Sequence, residues 1–257
     1  MGTATDSIVT RRGLLRLGAL VGVGAAVLPS LHLDEAWAAA KPPHCRPCNP
    51  DRPKTPSGAL EALMTGNANW ASGNQMHPGE DWARRACSAN VKCPQTPFAA
   101  ILSCVDSRVP PELLFDQGIG DLFIARVAGN SVVEILQDSL RYGTENLGAL
   151  VLFVLGHSDC GAVTASVRSF INSEPPEFAF EVPIYPAVAA ARKIVRKQGG
   201  NPDDPVQVDP VAIDQHVILT VQQLATTDPF RSLVKDGELL IKGGRYDLDT
   251  QIVTILI

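Results

Sequence analysis

Five side chains in two short stretches carry the donors and charges that a reaction centre needs. Cys104, Asp106 and Arg108 stand in Ser103-Cys104-Val105-Asp106-Ser107-Arg108, and His157 and Cys160 stand in Gly156-His157-Ser158-Asp159-Cys160-Gly161. Thiolate sulfur and imidazole nitrogen are the donors that zinc prefers, and a catalytic zinc takes three protein ligands and keeps a fourth position open. His157 and Cys160 are close enough in sequence to clamp one ion from a single loop. Cys104 must then arrive from a neighbouring segment. Asp106 and Arg108 can form a bidentate pair, which keeps the carboxylate off a metal and free to accept a hydrogen bond from water. Were that pair to break, Asp106 could swing in as a fourth ligand and shut the site.

The elements that would position these groups follow from the apolar pattern. Short, continuous apolar runs at 98–102, 121–127 and 150–155 read as buried strands. The first and third lead directly into the two stretches above, and functional groups gather past the carboxyl ends of strands in such folds. Helical spacing marks a segment from Ser57 to about Gly73 and another through Val133, Leu136, Leu140 and Tyr142. Two more helices are expected at 182–198 and 210–226, and two closing strands at 238–242 and 251–256. Alternating strands and helices predict an α/β fold, a mostly parallel central sheet flanked by helices.

Cys-x-Asp-x-Arg and His-x-x-Cys after successive strands closely resemble the β-class carbonic anhydrases. Phe115-Asp116-Gln117-Gly118, Arg126-Val127-Ala128-Gly129-Asn130 and Gly244-Arg245-Tyr246-Asp247 extend the likeness from about Gly58 to the C-terminus. The resemblance implies one zinc ion per subunit on Cys104, His157 and Cys160, with Asp106 and Arg108 as the catalytic acid–arginine dyad. The implied reaction is reversible hydration of carbon dioxide to bicarbonate and a proton by zinc-hydroxide attack, with activity rising through mildly alkaline pH. Gln95, Phe123 and Tyr142 match the substrate pocket of the plant-like branch, and Gly161 completes the substrate-binding positions. That glutamine comes from the partner subunit in the family, so a homodimer or higher even oligomer is implied. The branch with an inhibitory bicarbonate pocket carries tryptophan where this chain has Ile101, so a site open at rest is expected. Two other readings stay open at this point: hydrolysis of carbonyl sulfide or carbon disulfide on the same scaffold, and a non-catalytic zinc or bicarbonate-binding protein.

The remainder of the chain bounds the setting. It has 257 residues, 45% hydrophobic, 19% charged and 5% aromatic, with a formal net charge of −5. An acidic balance without a basic stripe excludes a nucleic-acid binder. Residues 1–40 resemble a twin-arginine export signal: Arg11-Arg12, an apolar run from Leu17 to Leu31, then Ala36-Trp37-Ala38-Ala39-Ala40. The run is shorter than the roughly 20 residues of a spanning helix. A periplasmic or otherwise exported protein and a folded cargo for the export machinery follow. Residues 41–56 form a proline-rich tether, and 57–257 the zinc-dependent catalytic domain. Cys45, Cys48, Cys87 and Cys93 are expected to pair as disulfides in an oxidising compartment, with three pairings open. His77 and His216 have no partner pattern and read as surface or core residues, and a proton-shuttle role for His77 stays open.

Overall fold

The computed structural model describes residues 52–76 and 95–257. The export signal, most of the tether, the four cysteines expected to pair, and His77 lie outside the described residues.

Val151–His157 (β3) buries all seven of its residues, as a strand covered by helices on both faces must. Ala99–Ser103 (β1) does the same. The two strands pair in parallel, Ser103 opposite Leu155. Leu122–Arg126 (β2) flanks β1, while Leu240–Tyr246 (β4) and Val253–Ile255 (β5) continue beyond β3, giving the order β2-β1-β3-β4-β5. Among the described residues, only the β4–β5 pairing is antiparallel. Ser103 also faces Arg126, so the chain leaves β1, β2 and β3 at one end of the sheet.

Alternate residues of β1 and β3 point to opposite layers. Ile101, Phe153 and Leu155 belong to one apolar cluster, and Leu102, Leu152 and Val154 to the other. The helices in chain order are Pro56–Ser72 (α1), Pro111–Leu114 (α2), Glu134–Arg141 (α3), Gly161–Asn172 (α4), Tyr185–Lys197 (α5), Pro205–Thr226 (α6) and Phe230–Lys235 (α7). Helix α6 serves both clusters, with Val208, Ala212 and Ile213 in the first and Val217, Val221 and Leu224 in the second. It can lie this close to the sheet because β3 and β4 present glycines beneath it. A Cβ on Gly156 or on Gly243 would stand 2.6 Å from a methyl group of Val217. Among the described residues no helix is long and apolar enough to cross a membrane.

Several expectations shift. Helix α6 begins at Pro205, under the cap that Asp204 provides to the Val206 amide, and runs through Pro210. Pro210, the sixth residue, forfeits the bond its amide would give to the Val206 carbonyl, and it lies inside the helix without marking its start. Helix α4 is an element beyond those expected, and Val163, Val167, Phe170 and Ile171 carry its helical spacing. The closing strands are Leu240–Tyr246 and Val253–Ile255, because sheet pairing rather than apolarity sets their ends. The tether ends earlier than expected: Thr55 caps α1, Pro56 is its first residue, and the Arg52 guanidinium donates to the carbonyls of Pro97 and Gly148.

Asn67 ties α1 to the remainder of the domain. Its Nδ2 donates to the carbonyls of Leu114 (3.1 Å) and Gln251 (3.0 Å), and its Oδ1 accepts from the Val253 amide at 2.7 Å. Asn67→Ala leaves these buried backbone groups unpaired, and should lower the unfolding free energy by about 3 kcal/mol in urea titration.

Candidate metal centre

Cys104 follows β1 directly and His157 is the last residue of β3, so the β1–β3 pairing delivers two donors to the same point. The third comes from a turn. Asp159 takes a left-handed backbone (φ 52°), which bends the chain so that Cys160 becomes the residue that precedes α4. The Cys160 sulfur therefore sits over the amino end of a 12-residue helix, where the amides of Ala162 and Val163 favour negative charge.

The three donor atoms lie within 4.8 Å of one another and all three residues are buried. The two sulfurs are 4.0 Å apart. Two sulfurs on one tetrahedral zinc, each at about 2.3 Å, would stand about 3.8 Å apart. The histidine is oriented for the same purpose. Its Nδ1–H donates to the Ser158 carbonyl at 2.8 Å, which leaves Nε2 as the lone-pair nitrogen. That Nε2 is buried with no hydrogen-bond partner. A buried, unpaired acceptor is costly unless something occupies it, and a cation between it and two sulfurs satisfies all three. The donor set fits zinc.

The contact between the two thiols shifts them in opposite directions. The hydrogen bond from Cys160 pulls the Cys104 thiol down to about 4, with the amide of Gly129 helping against the upward push of burial. Cys160 is pushed up by the same contact and by its own burial.

Beside the cluster, Arg108 holds Asp106 with three hydrogen bonds. Nε donates to Oδ1 at 3.0 Å, a terminal nitrogen to Oδ2 at 2.8 Å, and the Arg108 amide to Oδ1 at 2.9 Å. The pair holds the Asp106 carboxyl down at about 2, well below the usual carboxylate range. Asp106 Oδ2 lies 3.9 Å from His157 Nε2, next to the cluster without being one of its donors. Arg108 also donates to the Asp159 carbonyl at 3.3 Å, joining the two loops.

The expected residues thus fall into two groups. Cys104, His157, Cys160, Asp106 and Arg108 converge. Gly161 is adjacent, exposed as the first residue of α4, with open space where a Cβ would go. Gln95, Phe123 and Tyr142 are not brought to the cluster of their own chain. Gln95 precedes the amino end of β1, whereas Cys104 follows its carboxyl end. Phe123 lies three residues before the end of β2 and meets Tyr142 with ring centroids 6.3 Å apart. Both belong to the outer edge of the sheet, since β2 is an edge strand.

Sequence reasoning left three supporting residues without roles. Arg126 donates to the carbonyls of Cys104 (2.8 Å) and Asp106 (2.6 Å), pinning the loop that carries both. Gly129, in a left-handed backbone (φ 70°), donates its amide to the Cys104 sulfur at 3.3 Å. His216, on α6, is a core residue whose Nε2 meets the Gly129 carbonyl and the Ser131 hydroxyl. The Arg-x-x-Gly-Asn spacing is the signal for the first two; His216 lies too far along the chain to leave one.

A family model described as carbonic anhydrase matches residues 99–253. A carbonic anhydrase of Mycolicibacterium smegmatis is 36% identical over 169 residues, 66% of this chain and 77% of that one. Carbonic anhydrase 2 of Mycobacterium tuberculosis is 32% identical over 195 residues, 76% of this chain and 89% of that one. Among solved structures, a Coccomyxa β-carbonic anhydrase in complex with acetazolamide has a TM-score of 0.56 at 24% identity, over 80% of this chain and 87% of that chain. One of two tetrameric β-carbonic anhydrases from Sordaria macrospora reaches 0.57 at 18% identity, over 77% and 97%. At these identities the structural likeness is one of fold.

Burial holds His216 neutral, lowering its value from 6.5 to about 4. As pH falls through this window the unfolded chain binds a proton at His216 that the folded chain refuses, so stability falls with pH and levels off below about 4. The contribution lost is about 3 kcal/mol at about 1.4 kcal/mol per unit. Urea titrations between pH 7 and 4 should show this loss in the natural chain and not in His216→Gln.

Proposed function

The chain belongs to the carbonic anhydrase family, and from that premise we propose that it is a β-class zinc enzyme hydrating carbon dioxide reversibly to bicarbonate and a proton. The observation that carries this reading is the buried Cys104–His157–Cys160 donor set with an ionised, arginine-held Asp106 beside it. When bound there, zinc supplies a Lewis acid that makes water nucleophilic near neutral pH.

This chain's own residues do the remainder. Arg108 occupies both oxygens of Asp106 and so holds the carboxylate out of the donor set, leaving the fourth position open to water and substrate. With its carboxyl held at about 2, Asp106 stays ionised at neutral pH. It therefore orients a water by accepting a hydrogen bond, and it does not store the released proton, which must pass to buffer. Arg126 and the Asp159 carbonyl keep this loop in place through the backbone. The Asp106–Arg108 pairing and Ile101, at the position where the inhibited branch carries tryptophan, both support a site open at rest.

The substrate wall is proposed to come from a second copy. Phe123 and the half-exposed Tyr142 lie at the free edge of β2, and Gln95 precedes β1. A homodimer closed around that edge would present the three side chains to the partner's metal centre as a plant-like pocket. The paired arginines and small-residue exit of residues 1–40 support export of the folded chain, and the four remaining cysteines are proposed to form disulfides there.

Stopped-flow hydration of carbon dioxide, with zinc content measured on the same sample, tests the reading. Activity should require one zinc per subunit and rise between about pH 6.5 and 9; a flat profile across that range would count against it. Cys160→Ser should lose zinc and hydration together. Arg108→Ala should keep zinc and lower kcat/KM about a hundredfold, because Asp106 is no longer positioned.

A further inference from the structure

We propose that His216 is a positioning residue of the metal centre, its Nε2–H holding the Gly129 carbonyl so that the Gly129 amide stays aimed at the Cys104 sulfur. The proposal rests on the metal reading above and goes beyond the ligands themselves, to a residue more than fifty positions further along the chain than the last of them.

The chain of contacts is continuous and buried. His216 is 3% exposed, and its Nε2 stands 2.8 Å from the Gly129 carbonyl and 3.2 Å from the Ser131 hydroxyl. A carbonyl oxygen only accepts, so at 2.8 Å the proton must be on Nε2. The Ser131 hydroxyl oxygen is then a second, longer acceptor. Burial keeps the ring neutral, which fits one proton on one nitrogen.

Gly129 needs such an anchor. Its left-handed backbone is open to glycine and costly for other residues, and glycine is also the residue with the greatest freedom to leave it. One side of the turn is walled: a Cβ on Gly129 would stand 2.6 Å from the Ile184 methyl group. The other side is held at the carbonyl by His216. Fixing that carbonyl fixes the rotation about Gly129, and with it the direction of the amide that donates to Cys104 at 3.3 Å. An amide aimed at a thiolate draws charge from the sulfur, so the turn sets how strongly Cys104 donates to a metal.

The test uses the full chain with zinc. Zinc affinity is measured by chelator competition, the cobalt-substituted protein is read by its thiolate-to-cobalt charge-transfer band, and apo and holo melting temperatures are recorded alongside. His216→Leu should weaken zinc binding about tenfold or more and move the band. His216→Gln, whose side-chain amide can still donate to the Gly129 carbonyl, should restore both. Wild-type zinc affinity and an unmoved band in folded His216→Leu would overturn the proposal alone. A natural chain with no zinc affinity would overturn the metal reading and this proposal with it. Should His216→Leu fail to fold, nitrogen-15 NMR of the natural holoprotein decides: the Nε2–H tautomer of His216 supports the proposal and the Nδ1–H tautomer overturns it.

Discussion

Two thiol groups and one imidazole nitrogen must be held together in a buried place, where each is unfavourable alone. The sulfurs repel as soon as both ionise, and His157 Nε2 has no hydrogen-bond partner. A cation shared by the three would relieve both costs, so a bound metal and the fold would favour the same geometry. Much of the carboxyl end of the sheet serves this convergence. The β1–β3 register delivers Cys104 and His157, and the Asp159 turn places Cys160 at the amino end of α4.

Around the donors stands a frame of hydrogen bonds to backbone groups. Ser158 orients the imidazole, Arg126 pins the Cys104–Asp106 loop, and Gly129 reaches the Cys104 sulfur. Arg108 adds a bond between the two loops while it restrains Asp106. Such contacts hold reactive groups without taking up the open coordination position. They also explain how an acidic residue so close to a cation site can remain outside the donor set: its two oxygens are already committed to a guanidinium whose geometry matches them.

Much of this was legible in the chain. The apolar runs marked β1 and β3 to within about two residues because strands buried on both faces must be apolar throughout, and the half-buried edge strand β2 still shows an apolar run. The convergence of Cys104, His157 and Cys160 with the acid–arginine pair was legible because these groups lie a few residues apart within two loops, each at the end of a strand. The start of α6 was less legible, because the Asp204 cap sets it at Pro205 and Pro210 lies inside the helix. The ends of β4 and β5 depend on which residues find a ladder partner, and apolarity does not record that.

The sequence by itself determined the kinds of atoms available, the loops that carry them, and the parallel layering that puts both loops at one end of a sheet. Those follow from local spacing and hydrophobic period. The tertiary structure decided what holds them: that His157 presents Nε2 and not Nδ1, that the Gly129 amide reaches a ligand, and that a histidine on α6 reaches Gly129. It also decided that Gln95, Phe123 and Tyr142 lie away from the cluster of their own chain. Contacts between residues dozens of positions apart leave no period in a sequence, because only the packing of α6 and β2 on the sheet sets which distant groups come within hydrogen-bond reach.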